Sequence, residues 1–330
     1  MTELPAHSSK GPATSAAQCV YDHMLAELES DPNLSDLRAE LPDLSQALWD
    51  WSQLGDPDER RFRIREAMGG HILEVTGPDC AFLVDSLLGA CSALGVQADA
   101  LFHPIVERMD GAFQSLIQIH LPHLTEPETQ MLCDEVVLTL RDVRLATDDF
   151  ETLRNKMAEG IERLTGSVTV PSEYQEEAIA FLNWLTDDHF VFLGAREYRF
   201  KTDETGQVLP MEPDFVEGSN LGLLRDLDLN VLRPGSEPLF LTKEIGAFLA
   251  EPEPLILAKA TLVSRVHRRV PADYVGIKHF DSEGRVTGET RFLGLYTSEA
   301  YHASICTIPL LRQRRAQVLE ITHSVSGSHN

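Results

Sequence analysis

Apolar and polar positions alternate most clearly over residues 274–296. Val275, Ile277 and His279 stand against Gly276, Lys278 and Phe280. The polar set Asp281, Ser282, Glu283 and Gly284 follows, and a second run carries Thr290, Phe292, Leu293, Leu295 and Tyr296. Period-two alternation broken by a glycine-bearing turn predicts a β-hairpin. Near the start of the chain the period is helical instead. Val20, Met24, Leu25 and Leu28, then Leu44, Leu48 and Trp51, predict a helical arm over residues 19–54. Residues 55–59 (GDPDE) break it, and residues 1–18, rich in Ser, Ala, Pro and Gly, read as disordered or loosely attached. The arm either docks onto another subunit or covers the domain that follows; the second reading is the simpler.

Residues 71–76 (HILEVT) predict a strand, with Gly77, Pro78 and Asp79 as a turn and Asp79 placed to cap the next helix. That helix carries Leu83, Leu87, Cys91 and Leu94 on one face and ends at Gly95. Residues 96–108 are extended, Asp110 and Gly111 give a hairpin turn, and Ile117, Ile119 and Leu121 alternate along the return strand. A second helix over 126–140 and a last strand over 142–146 (DVRLA) complete a β-α-β-β-α-β order. Two helices on an antiparallel sheet make a ferredoxin-like α+β domain.

Residues 148–164 read as a further helix, and residues 165–172 (TGSVTVPS) as a linker. Ser172 and Gln175 fit a capping box for a helix over 173–186. Strands over 189–200, 239–243 and 255–259, with a turn at 203–206, join the opening hairpin in a mixed sheet. Residues 300–320 are expected to be partly helical, and the polar tail 324–330 reads as a point where a longer chain continues.

A chain of 330 residues suggests two or three domains at ~100–150 residues each. The formal charge is −24, from 52 acidic and 28 basic residues. Such a surface repels nucleic acid and anionic membranes, so neither is an expected partner. Five widely spaced cysteines without a CxxC argue against a disulfide framework or a zinc site, and favour the cytoplasm. No apolar run spans a membrane, and the N-terminus lacks a signal-peptide core.

Chemistry-bearing motifs are sparse. There is no G-x-G-x-x-G and no G-x-x-x-x-G-K-[ST]; Gly218 to Gly222 is the nearest glycine-bearing loop. His120 and His123 lack further ligands for a metal and read as surface residues. His302 and Cys306 share a helix face if that stretch is helical, a weak nucleophile–base pair, and Cys306 reads as structural. Arg312, Arg314 and Arg315 form a basic cluster suited to a helix C-terminus. Arg265, His267 and Arg268 form the best anion-binding candidate of the second half, with pairing to the chain's own carboxylates as the alternative. The turn Gly77, Asp79 and Phe82 is the other candidate. Its backbone N–H groups at a helix start suit an amino-acid carboxylate, and a plain structural turn is the alternative.

Several of these stretches together resemble the N-terminal part of the large bacterial NAD-specific glutamate dehydrogenases. They are residues 77–86 (GPDCAFLVDS), 101–106 (LFHPIV), 183–185 (NWL), 188–194 (DHFVFLG), 221–225 (LGLLR), 264–268 (SRVHR), 274–301 and 308–312 (IPLLR). Residues 77–86 resemble the first loop of the ACT-like domain of that family, though Cys80 and Ala81 stand where ACT loops commonly carry Asp-x-Pro. The resemblance implies tandem ACT-like domains, over residues 66–165 and 172–325, after a tail and arm over residues 1–65. It also implies oxidative deamination of L-glutamate with NAD in the full-length enzyme. The lysines and glycine-rich loop of that chemistry are missing here, so the resemblance implies no catalytic residue, no cofactor and no metal in these 330 residues. The expected partners are the chain's own catalytic domain, other subunits of a homo-oligomer and an amino-acid effector. A free-standing amino-acid sensor and a purely structural oligomerisation segment are the alternatives.

Overall fold

The computed structural model describes residues 16–204, 208–209, 214–227, 229, 251 and 253–312. The expected strand at 239–243, residues 205–206 of the expected turn, Arg314, Arg315 and the polar tail lie outside the described residues. The chain divides into two compact units, Met1–Leu140 and Arg141–Asn330.

The first unit opens with α1 (Ala16–Ser30), a single turn at Pro32–Leu37 and α2 (Leu41–Ser52). Asp31 starts the turn by accepting the Asn33 N–H at 3.0 Å. Val20, Met24 and Leu28 of α1 and Leu41, Leu44 and Leu48 of α2 form one buried stripe. That stripe shares a core with Ile72, Phe102, Val106 and Leu116 of the following sheet. The arm therefore covers its own domain, because the apolar face of a helix must be buried somewhere.

The sheet contains β1 (Arg61–Ala67), β2 (Gly70–Pro78), β3 (Ala100–Phe102), β4 (Ile105–Glu107) and β5 (Phe113–Leu121). Helix α3 (Leu83–Ala93) joins β2 to β3, and α4 (Glu126–Asp148) follows β5. The strand order is β1-β2-β5-β3, with β4 also on β5, and every pairing is antiparallel. The crossover from β2 through α3 to β3 leaves β5 in between, which is the split β-α-β of a ferredoxin-like layer. One expectation fails. Residues 142–146 continue α4 instead of forming the last strand, and the edge beside β2 is taken by β1 from the N-terminal side.

The second unit contains α5 (Phe150–Thr165), α6 (Ser172–Trp184), β6 (Phe190–Arg199), β7 (Asp214–Phe215), β8 (Leu221–Gly222), β9 (Leu255–Val263), β10 (Pro271–Phe280), β11 (Val286–Tyr296) and α7 (Ser298–His302). The strand order is β7-β6-β11-β10-β9, with β8 against β6. Every described strand pairing is antiparallel, and the 239–243 strand that the expected mixed sheet also included lies outside the described residues. The strands β9, β10 and β11 form a meander, and β6 lies beside β11, a Greek-key order. The alternation of the hairpin sets its inner face. Val275, Ile277 and Phe292 join Leu153 and Met157 of α5 and Phe181 and Leu182 of α6 in one core. The capping box at Ser172 does not form. Ser172 is the first helical residue, and the Gln175 side chain instead donates to the Leu164 and Ser167 carbonyls at 2.5 and 2.8 Å.

Candidate functional site

Three predicted residues lie together on the loop from β2 to α3. Gly77 has φ +153°, and a Cβ there would stand 2.7 Å from the Arg60 Cα. No larger residue fits that approach without moving the neighbouring backbone. Arg60 crosses the loop, donating to the Pro78 carbonyl at 2.9 Å and to the Cys80 sulfur at 3.1 Å. Phe82 occupies the left-handed region with φ 67° immediately before α3. Its carbonyl accepts the Ser86 N–H at 3.0 Å and the Ser86 hydroxyl at 2.5 Å.

Asp79 does not cap α3. Its N–H donates to the Phe113 carbonyl at 3.0 Å, and its Oδ1 accepts the Ser115 hydroxyl at 2.5 Å. Ser115, buried on the central strand β5, stands 2.9 Å from the Nε2 of His103. A carboxylate can only accept, so the serine proton goes to Asp79 and the histidine must carry its proton on Nε2. The serine therefore donates to a carboxylate and not to the imidazole, and the three groups form a structural relay without a histidine-activated nucleophile. Burial holds His103 below the ordinary imidazole range, with the Asp79 charge opposing it in part. Both carboxylate oxygens of Glu27 on α1 accept the His103 backbone N–H at 3.1 Å. Asp79 is exposed, and among the described residues no side chain takes its Oδ2.

Arg265, His267 and Arg268 lie in the second unit, on the loop between β9 and β10. The Arg265 guanidinium pairs with Asp142 at 3.4 Å. That of Arg268 donates to the Tyr296 carbonyl and sits 5.8 Å from the Tyr301 ring centre. His267 has φ 63°, and the loop is pinned by fully buried Ser264 and Val266. Arg265 thus pairs with a carboxylate of the chain, as the alternative reading has it, while Arg268 is engaged by a backbone carbonyl and a ring.

A buried ionic face was missed in the sequence. Tyr274 and Lys278 on β10 and Glu289 and Arg291 on β11 are all nearly inaccessible. Arg291 donates to Glu289, which also accepts the Tyr274 hydroxyl at 2.8 Å, and the Arg291 guanidinium lies 3.9 Å from the Tyr198 ring centre. Burial lowers the Lys278 pKa despite the charges of Glu253, Glu251 and Glu289. The available signal was the strict alternation of Glu289 and Arg291 with Thr290 and Phe292. A charge on the outer face of a hairpin reads as solvated unless that face is known to be covered.

The remaining candidates resolve simply. Helix α7 ends at His302, whose Nδ1 meets the Ser298 carbonyl at 2.7 Å, so His302 and Cys306 do not share a helix face. His120 is buried, not on the surface, and burial pushes its pKa down to about 4. Among the described residues no group of three or more His, Cys, Asp or Glu could hold a metal ion, and no helix is long and apolar enough to cross a membrane.

A family profile described as the ACT1 domain of glutamate dehydrogenase matches residues 44–157, which contain the Gly77 loop and the whole relay except Glu27. Over 313 aligned residues the chain is 30% identical to an NAD-specific glutamate dehydrogenase of Halomonas elongata, covering 86% of this chain and 19% of that protein. It is 32% identical over 269 residues to an NAD-specific glutamate dehydrogenase of Pseudomonas aeruginosa, covering 75% of this chain and 16% of that protein. By these matches the chain corresponds to the ACT-bearing N-terminal region of the NAD-specific glutamate dehydrogenases, and it spans less than a fifth of the length of these two relatives.

Proposed function

We propose that this chain is the regulatory and assembly region of an NAD-dependent glutamate dehydrogenase, and that catalysis resides in other parts of the longer protein. The observation that carries this reading is the ACT1 match over residues 44–157 in a chain spanning less than a fifth of its dehydrogenase relatives. The whole enzyme would convert L-glutamate, NAD and water to 2-oxoglutarate, ammonia and NADH in the cytoplasm. NAD would bind outside these residues, which contain no G-x-G-x-x-G turn. The chain's partners would be its own catalytic domain and the other subunits of a homo-oligomer. The arm and the first ACT-like domain would lie within the unit that ends at Leu140, and the second ACT-like domain, with α5 in its core, within the unit that begins at Arg141.

The loop of Gly77, Asp79 and Phe82 would bind an amino-acid effector. The unshared Oδ2 of Asp79 suits an ammonium group, and the start of α3 suits a carboxylate. The chain should therefore gain thermal stability with a free amino acid from a panel of the twenty, and Asp79→Asn should abolish that gain. No response to any amino acid would leave the assembly role alone. One observation favours that second reading. β9 is a nine-residue edge strand with Leu257 and Val263 exposed, and among the described residues no strand pairs on its outer side. A concentration-dependent mass in solution would support it.

A further inference from the structure

We propose that Glu27, His103, Ser115 and Asp79 form a hydrogen-bonded coupling device. It makes the docking of α1 depend on the state of the loop from β2 to α3. The four groups come from four different places in the chain: α1, the joint between β3 and β4, the central strand β5, and the loop. They form one unbroken path: Glu27 to the His103 N–H at 3.1 Å, His103 to Ser115 at 2.9 Å, and Ser115 to Asp79 at 2.5 Å.

Each link is directional. The serine has one proton and gives it to Asp79, so its oxygen takes the histidine N–H, which fixes the ring. A fixed ring fixes the His103 backbone, whose N–H lies between both oxygens of Glu27. Burial disfavours the Glu27 charge, and the His103 N–H only partly offsets this. A half-buried carboxylate with one backbone donor is therefore sensitive to any shift of that donor. Drawing Asp79 away from Ser115 removes the acceptor that orients the serine hydroxyl, so the serine oxygen no longer holds the His103 N–H in one direction, and the ring and its backbone lose their fixed position. The joint between β3 and β4 is tied to β5 through the Pro104 carbonyl, which accepts the Leu116 N–H at 2.9 Å. Pro104 itself supplies no N–H, so the His103 side chain and backbone bonds are the other ties at this break between the two short strands.

The proposal does not depend on which ligand, if any, binds the loop. Coupling of this kind is reciprocal, and amide hydrogen exchange of the 330-residue chain reads both ends. Glu27→Gln should speed exchange in α1 and also in residues 77–82. Ser115→Ala should speed exchange in residues 77–82 and also in α1, by roughly tenfold at each far end. The double variant should show less than the sum of the two effects. Far-end exchange unchanged in both single variants, with only the near end loosened, would overturn the proposal. So would strict additivity. If Ser115→Ala fails to fold, Asp79→Asn applies the same test from the exposed end of the path. A null result in the amino-acid panel would leave these outcomes unaffected.

Discussion

At the scale of single residues, the first unit rests on a few positions that tolerate no substitute. Gly77 holds φ +153° against the Arg60 backbone. Gly77→Ala should destabilise the unit by about 1–3 kcal/mol, measured by denaturant unfolding; a cost near zero would mean that the loop is slack. Glu74, fully buried on β2, accepts from Arg63 at 2.5 Å, Arg65 at 3.0 Å and Gln118 at 2.8 Å. Burial opposes its charge, but the bonds and charges of Arg65 and Arg63 outweigh burial and hold its carboxyl below the usual glutamate range. A depressed carboxylate stabilises the fold fully above its ordinary pKa of 4.5 and loses that contribution as pH falls below it. Glu74→Gln should cost about 2 kcal/mol at pH 7, discounted because both arginines are partly exposed. The gap to the unaltered chain should close below pH 4; a gap that does not change with pH would contradict this role.

At the scale of elements, the helices and the opening hairpin were legible because burial imposes a period, and the period survives in the sequence. β1 was not, since Arg61, Arg63 and Arg65 leave one face of this edge strand without an apolar pattern. Their guanidinium groups are needed there, for Arg63 and Arg65 neutralise Glu74 and Arg63 lies 4.6 Å from the Trp51 ring centre. The helical end of α4 was read as a strand because Val143 and Leu145 alternate with charges over too short a window. Within the candidate site, Gly77, Asp79 and Phe82 were found as neighbours in sequence. Glu27, His103 and Ser115 could not be, since only folding brings them to Asp79. The second unit has a comparable clasp. Glu177 on α6 is buried, accepts the Leu310 N–H at 2.8 Å and pairs with the Arg312 guanidinium. Glu177→Ala should cost about 1–3 kcal/mol and raise proteolysis within residues 304–312. Unchanged cleavage there would show that other contacts hold the segment.

At the scale of the whole molecule, each unit keeps a neutral histidine, buried His120 in the first and half-buried His279 in the second. Burial lowers His120 in the first unit to about 4. Burial, with Arg163 and Lys156 adding to it and Glu197 opposing, lowers His279 in the second to about 4. A depressed histidine costs nothing above its ordinary pKa of 6.5, and its penalty grows as pH falls toward the folded value. Both units should lose about 2 kcal/mol between pH 7 and pH 5, read by unfolding in guanidinium; equal stability at the two values would contradict the burial of both rings. The proposed regulatory role is one that the chain would exercise within its longer protein. The most direct test is L-glutamate-dependent NADH formation by that protein, beside a form lacking residues 1–330, each with and without the twenty amino acids. The account predicts an amino-acid response in the intact protein that is lost on deletion, and no turnover by the 330-residue chain alone. Turnover by that chain, or a response that survives its removal, would contradict it.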